Sequence, residues 1–129
     1  MDQRRLIKLL RDILAAQPEV SLVYLFGSQV ERESGPLSDV DLGVWAPGDV
    51  DDVALTVYLS HCLAKEWQEM QWDVVSLRQA PVELAYAVIS GGVCLYQRSE
   101  KERVDYEARV LGLYGDYLPV LRTQRAEIL

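Results

Sequence analysis

Hydrophobic residues along this chain switch several times between the spacing of an α-helix and the spacing of a β-strand. Residues 2–16 carry leucine and isoleucine at helical intervals, residues 21–26 form a short apolar run, and residues 40–44 alternate apolar side chains with Asp or Gly. A chain that interleaves helices with strands folds into layers, because each helix buries its apolar stripe against a sheet. The pattern therefore predicts an α/β or α+β fold with a small mixed sheet flanked by helices.

The same periodicity and its turn signals set the predicted boundaries of the elements. In chain order, we expect a helix over 2–16, a strand over 21–26, a short helix or loop over 29–38, a strand over 40–44, a helix over 49–67, a strand over 72–77, a helix over 81–92, a strand over 93–96 and a helix over 99–117. Pro81 is expected in the first turn of its helix, and Ser99 with Glu102 forms a capping-box pattern. Pro119 is expected to end the last helix near Tyr117.

The length of the chain limits it to one domain. With 129 residues, 50% of them hydrophobic and 26% charged, it has the size and composition of a single globular unit. We therefore expect residues 1–129 to form one domain, which excludes multidomain enzymes and coiled coils. No apolar run approaches the roughly 18–20 residues of a membrane span, and no secretory signal is recognisable. Cys62 and Cys94 stand singly among apolar residues, as reduced thiols do, so we expect a cytoplasmic protein without a membrane partner.

The charge balance narrows the expected partners. Twenty Asp and Glu residues against thirteen Lys and Arg give a formal net charge of −7. A protein that binds nucleic acid directly needs a cationic face that displaces counterions from the phosphates. We therefore expect small molecules or another protein as partners, and no direct contact with nucleic acid.

The most informative segment for function is a Gly27-Ser28 pair followed, after ten residues, by Asp39-Val40-Asp41. Side chains two apart on a strand point to the same face, so both carboxylates can reach one site. Two carboxylates without a nearby cation repel each other, and a divalent metal ion removes that repulsion. Gly27 lets the backbone approach a ligand closely, while the Ser28 hydroxyl and the amides after it suit phosphate oxygens. This combination predicts nucleotidyl transfer, in which positioning and charge neutralisation do most of the catalysis.

A third carboxylate, Asp73, stands at the start of the next predicted apolar strand. If that strand lies beside the strand of Asp39 and Asp41, the three carboxylates form a triad. Asp73 is then expected to ligate metal and to accept the proton of an attacking hydroxyl group. Gly-Ser is also a common turn, and an Asp before a strand is often only solvated. The adjacency of the two strands therefore decides between a functional site and unrelated surface residues.

These motifs resemble those of the DNA-polymerase-β-type nucleotidyltransferase superfamily, whose signature is G-S, ten residues, D-x-D and then a strand-borne Asp. The short length resembles the minimal nucleotidyltransferase (MNT) branch of that superfamily, as do the runs at residues 73–81, 91–96 and 114–117. The resemblance covers nearly the whole chain. It implies a polymerase-β-like core as the fold of the single domain.

The resemblance further implies the antitoxin of a HEPN/MNT toxin–antitoxin pair. Such antitoxins use Mg²⁺ to transfer AMP from ATP to a tyrosine of a HEPN toxin, a helical RNase that is thereby silenced. By position, Asp39 and Asp41 are expected to bind two Mg²⁺ ions together with Asp73, which also acts as the base. Gly27 and Ser28 are expected to hold the triphosphate. ATP and a HEPN-type toxin are therefore the expected substrate and partner.

The segment after Ser28 departs from the family pattern. Family members often have Arg directly after Gly-Ser, followed by a small residue and an Arg-Gly pair, whereas this chain has Gln29 and then Arg32 three residues later. We therefore expect Arg32, or alternatively Arg78, to face the phosphates.

Two alternative functions share these features. A small-molecule nucleotidyltransferase of the aminoglycoside type fits the core motif, although such enzymes usually carry an added domain for the acceptor. A non-catalytic antitoxin that only masks its toxin is consistent with the missing Arg. Both antitoxin hypotheses need a partner surface, for which the sequence offers the apolar positions Leu111, Leu113, Tyr114, Tyr117 and Leu118.

Overall fold

The computed structural model describes residues 2–27 and 39–128, which form four helices around a sheet of four strands. In chain order the elements are α1 (Gln3–Leu14), β1 (Leu22–Phe26), β2 (Asp39–Trp45), α2 (Asp52–Glu66), β3 (Gln71–Ser76), α3 (Val82–Gly91), β4 (Val93–Gln97) and α4 (Glu100–Ile128). The predicted alternation of helices and strands, and with it the mixed α/β class, is confirmed. The short helix or loop predicted over 29–38 lies outside the described residues.

The strands lie in the order β3-β2-β1-β4, so β2 and β1 form the centre of the sheet. β1 pairs antiparallel with β2 and with β4, whereas β2 pairs parallel with β3. Parallel neighbours cannot be joined by a tight hairpin. The connection from β2 to β3 accordingly runs through α2, and both strands begin at the same end of the sheet.

Each face of the sheet is covered by a different pair of helices. On one face, leucines of α1 and α2 pack against Val40, Leu42 and Val44 of β2. On the other face, Tyr106 and Val110 of α4 pack, together with α3, against the alternate residues of β1. Alternation along the strands follows from the pleat, which turns successive side chains to opposite faces. Odd-numbered residues of β2 therefore point away from α1 and α2.

Side-chain caps fix the starts of three helices. The Asp2 carboxylate accepts from the backbone amides of the first turn of α1, and the Asp51 carboxylate accepts from the Ala54 amide at the start of α2. At α4, the Glu102 amide donates to Ser99 Oγ at 3.1 Å, as the capping-box pattern predicts. The Glu102 carboxylate instead accepts from the Arg98 guanidinium. Half of the predicted box is therefore confirmed, and its other half is replaced by an ion pair.

The prediction for the end of the last helix is wrong. α4 continues through Pro119 to Ile128 instead of ending near Tyr117. Proline removes one helical hydrogen bond and strains the preceding turn, which favours termination but does not require it. Here the part of α4 that precedes Pro119 packs against α3. Tyr114 stacks on Tyr86 with ring centroids 3.8 Å apart, and the Tyr117 hydroxyl donates to Glu83. These contacts hold the helix in place directly before the proline.

Two smaller expectations also need correction. Pro81 is the N-cap residue of α3 and not part of its first turn, although its carbonyl accepts the first helical hydrogen bond from Ala85. Three of the expected exposed partner positions, Tyr114, Tyr117 and Leu118, are only half-exposed, and the two tyrosines pack against α3. Leu111 and Leu113 are indeed exposed. Within the described part of the chain, no helix combines the length and apolarity needed to cross a bilayer.

Candidate active site

The parallel pairing of β2 with β3 brings the predicted acidic residues to one end of one face. In this register Asp41 lies directly opposite Asp73, and Asp39 lies opposite Gln71. Because Val40 and Leu42 point toward α1 and α2, both aspartates of β2 point to the other face. The residues on either side of Asp73 pack toward α1 and α2, so its side chain also points to that other face. The adjacency of the two strands, on which the predicted triad depends, is present.

Asp41 and Asp73 are in hydrogen-bond contact, and Asp39 is close enough to act on Asp41 electrostatically. Burial raises the pKa of Asp41 above its ordinary value, and the negative charges of Asp73 and Asp39 raise it further. A hydrogen bond with the Asp73 carboxyl group acts in the same direction. Asp41 is half-buried, whereas Asp39 and Asp73 are exposed. The site is therefore a cluster of like charges with one protected member and two open to solvent.

Gly27 forms the wall of this site on the side of β1. The antiparallel register places Phe26 opposite Asp41, so the chain leaves β1 directly beside that carboxylate. Gly27 has a φ of 78°, in the left-handed region, and a Cβ atom at this position would overlap Asp41 Oδ2. Both conditions are satisfied by glycine alone at low cost. Gly27 therefore lies where the sequence predicts, in close contact with the carboxylate cluster.

Two of the predicted triphosphate-binding residues, Ser28 and Arg32, lie outside the described residues, as does Gln29. The third, Gly27, is the last described residue of the segment, and Asp39 is the first residue after it. The predicted phosphate-binding segment thus begins and ends at the carboxylate cluster.

Arg78 does not face the site, and the expectation that it replaces the missing phosphate-binding Arg is wrong. Its Nε donates to Asp52 Oδ2 at 2.8 Å, and its other guanidinium nitrogens donate to the carbonyls of Gly48 and Val50. It follows the carboxyl end of β3, whereas Asp73 lies near the amino end. Asp52 is 8% exposed, and Arg78 neutralises it. Arg78 therefore has a structural role that sequence spacing does not reveal.

The donor set suits a hard divalent cation. All three side chains offer carboxylate oxygens, the ligands that Mg²⁺ prefers, and a cation would relieve the mutual repulsion that raises the pKa of Asp41. Within residues 2–27 and 39–128, no group of three or more His, Cys, Asp or Glu side chains is already arranged to hold a metal ion. Asp41 and Asp73 are already in contact with each other, whereas Asp39 interacts with Asp41 only through its charge.

Phe26 lines this site, and the sequence interpretation does not single it out. Its ring lies on the face of the sheet that carries the carboxylates and packs against the core beneath α3 and α4. The available signal is its position: it directly precedes Gly27 and follows the alternation set by Leu22 and Tyr24. That alternation marks Phe26 as belonging to the same face as Asp41 only once the β1–β2 register is known.

Fold and site together define a nucleotidyltransferase of the polymerase β type. Residues 8–101 match the family described as "Polymerase beta, Nucleotidyltransferase", and the chain belongs to this family. The resemblance deduced from the G-S and D-x-D motifs is thereby confirmed.

Among individual relatives, the chain is similar to protein adenylyltransferase MntA of Shewanella oneidensis, with 28% identity over 117 residues that cover 88% of this chain and 78% of the relative. It is also similar to a solved toxin–antitoxin structure with AMP-PNP, at 26% identity and a TM-score of 0.78, covering 99% of this chain and 98% of the other. A further similar structure is the tri-AMPylated Shewanella oneidensis HEPN toxin in complex with MNT antitoxin, at 25% identity and a TM-score of 0.72, covering 98% and 94%.

Proposed function

We propose that this chain is an antitoxin that transfers AMP from ATP to a tyrosine of a HEPN toxin and thereby silences it. Membership of the nucleotidyltransferase family supports the reaction class. A similar protein named protein adenylyltransferase MntA supports a protein acceptor, and a similar complex that contains an AMPylated HEPN toxin supports the partner. The observation that carries the proposal is the parallel register that sets Asp41 against Asp73 beside Gly27.

In this proposal the three aspartates have different roles because they differ in exposure to solvent. Asp39, Asp41 and Asp73 would hold two Mg²⁺ ions, which supply positive charge to the triphosphate when bound. Asp41, half-buried against Gly27, is the most constrained of the three. Asp73 lies on an edge strand and is exposed, so an incoming side chain can reach its carboxylate.

The chemical step is a displacement at the α-phosphorus of ATP. The phenolic oxygen of the toxin tyrosine forms a bond to that phosphorus, the bond to the bridging oxygen breaks, and diphosphate leaves. Asp73 accepts the phenolic proton. Gly27, Ser28 and Arg32 would hold the triphosphate, with Gly27 allowing close approach of the backbone. We further propose that residues 1–129 act as one minimal nucleotidyltransferase domain, in the cytoplasm, without membrane or direct nucleic-acid partners.

The test is the intact mass of the toxin after incubation with the chain, ATP and Mg²⁺. We expect the toxin to gain the mass of one or more AMP units with the wild-type chain and to remain unmodified with Asp73→Asn. Asp105→Asn is the matched control, because Asp105 is an exposed aspartate of α4 that only pairs with Lys101. An unmodified toxin with the wild-type chain would refute the catalytic proposal.

A non-catalytic antitoxin is the second candidate. It is favoured by one observation: Gln29 stands directly after Gly27-Ser28, where family members often have a phosphate-facing Arg. This candidate predicts that Asp41→Asn neutralises the toxin as well as the wild-type chain does, and that neutralisation needs no ATP. Measuring residual RNase activity of the toxin with each variant, with and without ATP, separates the two functions.

A further inference from the structure

β3 is an edge strand, and half of its backbone hydrogen-bonding groups point away from the sheet. The amide of Leu77, directly after β3, donates to the carbonyl of Val44 on β2. Because the backbone groups of successive residues on a strand point to alternate sides, those of Asp73 and Val75 also point to β2. The groups that point to the open edge are therefore those of Trp72, Val74 and Ser76.

These outward-pointing groups are unpaired in the described part of the chain. Apart from the pairing within the sheet, no backbone hydrogen bond among the described residues involves the amide or carbonyl of Trp72, Val74 or Ser76. β3 pairs with β2 in unbroken register from Gln71 to Ser76 and contains neither Lys nor Pro. Natural sheets protect an open edge with a bulge, a lysine or a proline. β3 lacks these three devices, so its edge can accept a further strand.

An apolar groove lies beside the second half of this edge. It has a volume of about 370 Å³ and is formed by β3, α2, the residues after β3 and the first turn of α3. Val75 of β3, Val53 of α2 and Leu84 of α3 line it. Val53 is 72% exposed. A strand added to β3 would lay side chains against this wall and remove its apolar surface from water.

The same edge passes the candidate active site. Asp73 lies two residues before Val75 on β3, and its side chain is exposed. Neighbouring strands lie about 4.8 Å apart, so alternate side chains of an added strand would lie beside Asp73 on the same face of the sheet. Because the backbone groups of Asp73 point to β2, the position opposite it in an antiparallel strand is a non-hydrogen-bonded one, where the two side chains lie closest. An added strand therefore offers a direct route to the Asp73 carboxylate.

The order of the strands separates the nucleotide from the acceptor. Gly27 borders Asp41 from the side of β1, whereas Asp73 lies on β3, on the other side of β2. In the proposed function Gly27 holds the triphosphate, which leaves the side of β3 to the acceptor. The toxin is the partner that must bring a tyrosine to Asp73, so the open edge is continuous with the surface that the toxin has to reach.

We propose that an extended segment of the toxin pairs with the free edge of β3 and carries the acceptor tyrosine to Asp73. The backbone of this segment bonds to the outward amides and carbonyls of Trp72 and Val74, and side chains next to the tyrosine pack in the groove. Backbone hydrogen bonds then supply affinity, and the groove selects the residues that flank the tyrosine. This inference rests on the proposed function, because it takes the partner to be a toxin modified on tyrosine.

Amide hydrogen exchange of the ¹⁵N-labelled full chain, alone and in complex with the toxin without ATP, tests the backbone pairing. We expect the Trp72 and Val74 amides to exchange rapidly in the free chain and about tenfold more slowly in the complex, because they become hydrogen-bonded. The Asp73 and Val75 amides are the control, since their bonds to β2 protect them in the free chain already. Exchange of Trp72 and Val74 at the same rate with and without toxin would overturn the proposal. Slow exchange in the free chain at high concentration would assign the edge to a second copy of this chain and would also overturn it.

Val53→Glu and its matched control Val57→Glu test the groove. Both valines are exposed on α2, at 72% and 63%, and of the two only Val53 lines the groove. A charge on the apolar wall should raise the KM for the toxin about tenfold and leave kcat unchanged, because it weakens binding and not the chemical step. Val57→Glu should leave both constants unchanged. Equal KM values for Val53→Glu and the wild-type chain would overturn the proposal.

The outcomes distinguish this inference from the proposed function. If the wild-type chain leaves the toxin unmodified in the mass assay, the proposed function is wrong and the inference that rests on it is wrong as well. If the wild-type chain modifies the toxin while the Trp72 and Val74 amides stay unprotected and Val53→Glu keeps the wild-type KM, the function stands. In that case only the binding of the toxin to β3 is wrong.

Discussion

Asp41 and Asp52 are both shielded aspartates near β3, and they sit in opposite electrostatic environments. The pKa of Asp41 is raised by burial and by the charges of Asp73 and Asp39. Burial would also raise the pKa of Asp52, but hydrogen bonds from Arg78 and Gln79 outweigh it and hold that pKa below its ordinary value. The charge of Asp52 is neutralised by Arg78. The charge of Asp41 has no such partner among the described residues and repels those of Asp73 and Asp39.

This difference separates a structural carboxylate from a functional one. A buried acid with a fixed cation lowers the free energy of the folded state only if the pair offsets its loss of hydration. A cluster of acids without a cation raises that free energy, and the cost is retained where the cluster has a ligand to bind. Asp52, the first residue of α2, thus stabilises the folded state through its ion pair, whereas Asp41 on β2 destabilises it through repulsion from its acidic neighbours.

The largest expected effect comes from exchanging each aspartate for asparagine. Asp41→Asn should lower AMP transfer on the order of a thousandfold while leaving stability equal or higher, because it removes like-charge repulsion. Asp52→Asn should cost about 2 kcal/mol of unfolding free energy, because Arg78 loses its partner, without changing the transfer rate of the folded chain. Urea unfolding and the toxin mass assay measure the two quantities. Equal loss of stability in both variants would remove the distinction between the two ends.

Arg78→Met should have the next largest effect. It leaves Asp52 buried without its cation and frees the carbonyls of Gly48 and Val50, so we expect a loss of about 3 kcal/mol in urea unfolding. Lys101→Met is the control, since the exposed Lys101–Asp105 pair contributes less than about 1 kcal/mol. Transfer by the folded fraction should be unchanged. If the folded fraction of Arg78→Met transfers AMP more slowly than the wild-type chain does, Arg78 contributes to phosphate binding after all.

Two glycines in the left-handed region allow a matched comparison of the two ends. Gly27→Ala combines a φ of 78° with overlap on Asp41, and we expect it to cost about 2 kcal/mol and to impair transfer. Gly48→Ala has a φ of 93° with no atom within 4 Å of the added Cβ, and should cost only about 1 kcal/mol, with transfer intact. Thermal unfolding and transfer rates together measure both effects. Identical losses would mean that the contact with Asp41 is not restrictive.

The smallest expected effect is a difference in acid stability. Because the folded-state pKa of Asp52 is depressed, its ion pair contributes stability above the ordinary pKa of an aspartate and loses that contribution as the pH falls through the folded value. In Arg78→Met this contribution is absent, so its deficit relative to wild type should be full at pH 7 and shrink at pH 3. Urea midpoints at pH 7, 5, 4 and 3 measure the trend; a constant deficit would contradict it.

The fold was largely predictable because its signals are local. Apolar spacing predicts the helices and strands, and the Ser99 and Glu102 capping-box pattern marks the start of α4. The end of α4 was not predictable from Pro119, because the contacts that carry the helix past it come from α3, more than twenty residues earlier. The partial burial of Tyr114 could not be predicted for the same reason, because the residue it stacks on, Tyr86, is distant in sequence.

The candidate site was predictable to the extent that its residues follow a fixed spacing. Gly27 and the pair Asp39 and Asp41 flank one segment, so their pattern survives in the sequence. The prediction that Asp73 belongs to the same site depended on β2 and β3 being neighbours in the sheet, and no local sequence pattern establishes which strands are neighbours. The structural role of Arg78 could not be predicted from residue spacing, because it depends on contacts with the carbonyls of Gly48 and Val50, which are distant in sequence.

The parallel pairing of β2 with β3 has a consequence for synthesis of the protein. Asp41 precedes Asp73 by thirty-two residues, and α2 connects their two strands. A nascent chain whose β3 is still inside the ribosome therefore lacks Asp73 and cannot form the carboxylate cluster. The candidate site can be completed only after β3 has emerged.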